Sequence, residues 1–183
     1  MSKTYKDKLK KKSNSIYAKN MLTRKIVLPF TSVGGNLSEI LKQKLEEDLY
    51  GKCSKDGYIK TDSIQICSYS SGIVQENDVI FDVLFECLIC HPIEGQHIKC
   101  KVENITRAGI RAIYFKEQRS PITIFIARDH HYDSKYFSTI KEEDLILIKV
   151  IGIRYELNDE TISVLGELKP QKQNRVTKIK LEE

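Results

Sequence analysis

The chain has 183 residues, 40% hydrophobic and 30% charged, with 30 Lys and Arg against 25 Asp and Glu and a formal net charge of +5. That balance is too apolar for global disorder and leaves room for one core or two small ones. The 5 cysteines, an odd number scattered through apolar stretches, point to a reducing intracellular compartment, and neither a signal-peptide core nor an apolar run near the ~20 residues of a membrane span is visible.

Residues 1–24 carry Lys3, Lys6, Lys8, Lys10, Lys11, Lys12, Lys19 and Arg24 against the single acid Asp7. They read as a basic flexible arm, either simply solvated or kept extended by self-repulsion until a polyanion neutralises it. Residues 170–183 form a weaker basic tail.

Residues 26–30 read as a strand, stopped by Pro29 and the Gly34-Gly35 pair. Asn36 then caps a helix running to Leu49, with Glu39 in the capping-box position. Leu37, Ile40, Leu41, Leu45 and Leu49 fall on one stripe at helical spacing, so the helix needs a sheet to cover. Residues 57–60, 64–69 and 79–89, rich in β-branched and aromatic side chains, supply it. In the last of these Val79, Phe81, Val83, Phe85, Cys87 and Ile89 make one wholly apolar face, expected against the helix. Strand, helix and three strands make a small α+β domain over residues 25–92.

At His91-Pro92 the pattern stops, because proline cannot donate into a central ladder, and Gly95 opens a second set of strands. Residues 96–103 alternate Ile98, Cys100 and Val102 inward with Lys99 and Lys101 outward. Residues 109–115, 122–127, 145–156 and 161–168 complete five strands, with an irregular link over 128–144 and a turn at Asn158-Asp159. The fold class is therefore α+β followed by all-β, the second part a five-stranded OB-type β-barrel over residues 93–169.

Catalytic and metal chemistry finds little support. Cys87-Leu88-Ile89-Cys90-His91 matches a haem-attachment spacing, but it ends an apolar strand and follows no export signal. Cys87, Cys90, His97 and Cys100 have the donor set of a zinc site, yet a strand points two thiols three residues apart to opposite faces. Core cysteines are the simpler reading, with no metal or cofactor expected. Asp129, His130 and His131, or Asp78, Asp82 and Glu86, come with no nucleophile motif and no phosphate-cradling loop, so no catalytic residue is assigned.

Nucleic-acid chemistry is better served. An OB barrel binds single strands through a basic groove and aromatic faces on which bases stack. Lys99, Lys101, Arg107, Arg111, Tyr114, Phe125, Arg128 and His130 interleave both kinds of side chain on the first three barrel strands and their connections, and are the expected RNA-binding residues.

Four segments carry a resemblance. The helix end Leu45-Glu46-Glu47-Asp48-Leu49-Tyr50-Gly51-Lys52-Cys53 is followed by Gly57-Tyr58-Ile59. A long apolar strand runs through Pro92 into Glu94-Gly95, a hairpin turns sharply at Gly109, and a closing pair ends in Gly166-Glu167-Leu168. In order and spacing these resemble the stalk subunit of eukaryotic and archaeal RNA polymerases, the seventh subunit of polymerase II and its archaeal counterpart. The resemblance covers nearly all of residues 26–170, whereas the basic arm has no counterpart.

It implies a non-catalytic subunit whose N-terminal domain docks on the polymerase core, through Lys52, Cys53, Asp56, Gly57 and Tyr58, and whose barrel contacts nascent single-stranded RNA. It also implies a helical stalk partner covering apolar surface between the domains, and no membrane. The location would be the nucleus or, for a viral version, the cytoplasm or virion; the high Lys and Ile usage and the absence of Trp fit the AT-rich genome of a large DNA virus. The competing reading is a free-standing OB-type RNA-binding or translation factor, which has no reason to carry that helix and sheet.

Overall fold

The computed structural model describes residues 15–117, 119–131 and 135–169. The basic arm up to residue 14 and the tail from residue 170 lie outside the described residues.

The first strand, β1, spans Tyr17–Pro29 and not only residues 26–30. It pairs antiparallel along its whole length with β6, Asp78–Cys90, from Tyr17↔Cys90 to Pro29↔Asp78. Residues 17–24, read from sequence as part of the arm, therefore belong to the sheet. Their polarity has a physical source: β1 is an edge strand, and of residues 17–24 only Tyr17, Leu22 and Arg24 are even half-buried. Lysines such as Lys19 and Lys25 keep such an edge from pairing with other chains.

Helix α1, Leu37–Leu49, buries Leu41 and Leu45 completely, with Leu37, Ile40 and Leu49 packed around them. Its start departs from the capping box. The Asn36 side chain caps no backbone N–H and instead donates from Nδ2 to Glu39 Oε2 at 3.2 Å. The face opposite is supplied by β6, where Val79, Phe81, Val83, Phe85, Cys87 and Ile89 are all buried with Leu41 and Leu45 in one cluster. Two short strands escape the sequence pattern: β2, Cys53–Ser54, and β5, Ile73–Gln75. Beside β3, Gly57–Ile59, and β4, Gln65–Tyr69, they complete a sheet in which β3, β4 and β5 all pair with β6, while β2 pairs with β3.

The barrel follows the expected strands closely: β7 His97–Ile105, β8 Gly109–Ile113, β9 Ile122–Ala127, β10 Leu145–Arg154 and β11 Ile162–Lys169. The closed order is β10-β11-β9-β8-β7, with β11 parallel to β9 and every other pair antiparallel. This is the five-stranded closure of an OB barrel. Its core is lined by Ile98, Val102, Ile110, Ile124, Ile126 and Ile148, and Phe137 and Ile140 from the β9–β10 link pack into the same cluster. His131 joins them: the Leu168 N–H donates to its Nε2 at 2.8 Å, so the Nδ1–H donates to the Ala127 carbonyl at 2.9 Å.

The two domains share a junction. Ile16, Cys53, Tyr58 and Cys90 of the N-terminal domain belong to the barrel's core cluster. Cys53 N–H donates to the Asp159 carbonyl, and Asn158 N–H donates back to the Cys53 carbonyl, both at 2.8 Å. On the β8–β9 connection Glu117 accepts from the Tyr17 hydroxyl and from Lys60 Nζ, each at 2.6 Å. Burial, reinforced by that hydrogen bond and the Glu117 charge, holds the Tyr17 phenol well above its ordinary value.

Gly57 marks the tightest point of the junction. Its φ is +123°, and a Cβ there would stand 2.5 Å from the Cys90 carbonyl oxygen. Gly57→Ala should cost about 1–3 kcal/mol from strain, read as a lower denaturation midpoint at unchanged slope. The cysteines give a second expectation. Burial pushes Cys53 and Cys87 up to about 11 and Cys90 and Cys100 up to about 12, from 9.0, whereas Cys67 is exposed. At pH 8 a thiol-specific reagent should titrate Cys67 alone in the folded chain and all 5 after denaturation. Because these four folded-state values are raised, their contribution to stability is complete below pH 9.0 and is lost as pH climbs towards 12.

Candidate nucleic-acid interface

On the barrel wall, side chains alternate between the core and water. Lys99 and Lys101 point outward from β7, where their pairing partners on β10 are Leu147 and Leu145. Arg111 on β8 stands directly opposite Phe125 on β9, and Phe125 is in turn paired with Leu165 on β11. A cation and an aromatic ring that is 40% exposed are thereby set side by side.

Several of the wall's cations are held by carboxylates. Lys101 pairs with Glu143, Arg111 Nε with Glu103 at 2.9 Å, and Arg154 with Glu156 at 3.3 Å. Surface pairs of this kind contribute only about 0–1 kcal/mol, so a phosphate can take the carboxylate's place at small cost. At one end of the barrel Arg128 turns back on the β7–β8 connection, donating to the carbonyls of Arg107 at 2.9 Å and Thr106 at 3.1 Å, with its guanidinium 5.2 Å from the Phe137 ring centre. Arg128 fastens that connection, and Arg107 and His130 stand exposed beside it.

Tyr114 does not join them. It is buried in the barrel core, and burial raises its phenol. It offers no face to a base, because its place after β8 turns it inward towards the junction. The hairpin expected to touch the polymerase core lies largely at the domain junction. Cys53, Gly57 and Tyr58 are buried at the domain junction, Asp56 is engaged by Arg24 at 2.7 Å, and Lys52 is half-buried. Within that strand Tyr58 packs into the barrel's core cluster and Ile59 into the core of the N-terminal domain.

Two features were missed from the sequence. The first is a cleft of about 370 Å³ on the barrel wall, lined by Phe125, Gly152, Arg154, Ser163 and Leu165 among others. Its signal was Gly152, a glycine inside a strand that is apolar except for Lys149 and Arg154. The second lies at the end of the N-terminal sheet remote from the barrel, where Phe30 is 61%, Ile73 64% and Val74 63% exposed. Phe30, Val74, Glu76 and Asp78 border a second cleft there. Adjacent apolar residues at Ile73-Val74 just after a glycine were the available clue.

No protein-family model matches the chain. Among curated proteins it is 26% identical over 170 residues to a DNA-directed RNA polymerase subunit, L376, of Acanthamoeba polyphaga mimivirus, covering 84% of this chain and 82% of that one. It is 24% identical over 153 residues to DNA-directed RNA polymerase II subunit 7 of Arabidopsis thaliana, covering 74% and 84%. With subunit RPB7 of RNA polymerase II from Glycine max the identity is 23% over 166 residues, covering 81% and 90%. The resemblance to the seventh subunit of RNA polymerase II read from the sequence motifs thus holds across most of the chain and of its relatives.

Proposed function

We propose that the chain is a non-catalytic stalk subunit of a DNA-directed RNA polymerase, docking on the core through its N-terminal domain and contacting exiting RNA with its barrel. The observation that carries this reading is a similarity to polymerase subunits extending over 82–90% of their own lengths, too long to come from a barrel alone. The mimivirus relative supports a viral polymerase as the setting, and the plant relatives a nuclear one.

For docking, the exposed end around Phe30, Val33, Ile73 and Val74 is the better surface. It combines contiguous apolar side chains with distance from the junction, since β1 and β6 carry it ~40 Å away at about 3.4 Å per residue over 13 residues. Ile93 at 60% and Leu157 at 70% exposure flank the junction and provide apolar surface for a helical stalk partner. Nascent RNA would follow Lys99, Lys101, Arg107, Arg111 and Phe125 on the barrel, with Arg128 and His130 at its end.

Affinity purification of the tagged full chain from its native cells should recover the large polymerase subunits; recovery with ribosomes, or alone, would overturn the reading. In the same experiment Phe30→Asp with Val74→Asp should abolish that recovery while leaving the melting temperature of the isolated chain nearly unchanged, because both side chains are already in water. For RNA, binding of a short single strand should weaken steeply with salt. Replacing Lys99, Lys101 and Arg111 by Ala should flatten the log–log salt slope by about 0.7 for each phosphate no longer neutralised, and an unchanged slope would move the RNA path elsewhere.

A further inference from the structure

The cleft on the barrel wall exists because one side chain is missing. The register of β10 against β11 shifts between Val150 and Gly152, after which Gly152 stands opposite Leu165. Leu165 is paired on its other side with Phe125, and Phe125 with Arg111, so the four residues form a row across β10, β11, β9 and β8.

Glycine in a strand interior gives up packing and backbone entropy. Nothing in the fold requires it at this position. Gly152 is not among the glycines with positive φ, and the nearest atom to a Cβ built there is Leu165 Cβ at 3.9 Å, an ordinary contact. Gly109 is the contrast: a Cβ there would meet the Ile126 carbonyl oxygen at 2.2 Å and the Phe125 ring at 3.0 Å, so that glycine is needed for β8 to approach β9 beneath the ring. What Gly152 leaves is open space of about 370 Å³, walled by an aromatic ring and Leu165, with the Ser163 hydroxyl among its polar groups.

The surroundings select the occupant. Arg111 closes the row on β8 and Arg154 stands beside its Gly152 end, with side chains 58% and 84% exposed and each paired with an exposed glutamate. An apolar slot beside an aromatic face, bracketed by cations, suits a flat ring carried on an anionic backbone. We propose that the cleft receives one unpaired base of single-stranded RNA, stacked on Phe125 above Gly152, with the adjoining phosphates meeting Arg111 and Arg154. This rests on the RNA-contact reading above and relocates its centre from the lysines of β7 to the β9–β11–β10 wall. Ser163 offers the base edge a donor and an acceptor.

The test uses the full chain and a fluorescent, unstructured oligouridine of about 12 nucleotides, within the span one OB barrel engages. Phe125→Leu removes the stacking face, and Gly152→Val fills the slot. Each should weaken binding by about tenfold, as loss of one stacked base does, with the salt slope unchanged because no phosphate contact is touched. Arg154→Ala should instead flatten the slope by about 0.7. Gly152→Val should melt no lower than the parent, and Phe125→Leu, at an exposed position, reports independently if it does.

Parental affinity in both Phe125→Leu and Gly152→Val, with binding abolished on replacing Lys99 and Lys101, would overturn the base site and leave the RNA reading standing. A parent chain that binds no RNA would overturn both. Weaker recovery of polymerase subunits by Phe125→Leu, with RNA affinity intact, would make the cleft a protein contact and overturn the proposal as well.

Discussion

The structure depends on one strand. β6 is 13 residues long, and its alternate side chains from Val79 to Ile89 are apolar without interruption. That face, with Ile26 and Leu28 of β1 and Ile59 of β3 beside it, forms the apolar floor on which Leu41 and Leu45 of α1 leave water. It also fixes the register of the sheet, since a slip by one residue would turn Asp82 and Glu86 inward. β1, β3, β4 and β5 are all placed by pairing with this strand. Its last residue, Cys90, lies in the barrel's core cluster, so the same strand that organises the first domain hands its end to the second.

The junction turns that covalent link into a fixed geometry. A proline and a glycine between the domains would by themselves allow a hinge, but reciprocal backbone hydrogen bonds tie Cys53 to the β10–β11 turn. Glu117 gathers Tyr17 and Lys60 on another side, with Lys60 Nζ 4.9 Å from the Tyr17 ring centre. Tyr155 adds a contact to the Lys55 carbonyl at 3.4 Å and an edge-on packing against His91. A barrel held in this way presents its wall in a defined direction relative to the exposed tip of the sheet.

Charge has a smaller part than composition implied. Several barrel cations sit in ion pairs, Lys101 with Glu143, Arg111 with Glu103 and Arg119 with Glu160 among them, so the wall is not a bare positive field. What accompanies the charge on that wall is the exposed Phe125 ring, the slot over Gly152 and arginines paired with exposed glutamates.

The sequence by itself determined the two-domain order, the apolar faces of α1 and β6, the five barrel strands and the resemblance to polymerase stalk subunits. Those features are written in local periodicity, which one-dimensional reading captures. It cut β1 short, since an edge strand with a wet face lacks that periodicity, and it set Tyr114 on the surface where the structure buries it. Whether an aromatic or a glycine turn faces water depends on what packs over it from 60 or 100 residues away. Only the tertiary structure decided that the hairpin is a junction, that Phe30 and Val74 form an exposed tip, and that Gly152, Leu165, Phe125 and Arg111 stand in one row, because strand pairing brings together residues that no local pattern connects.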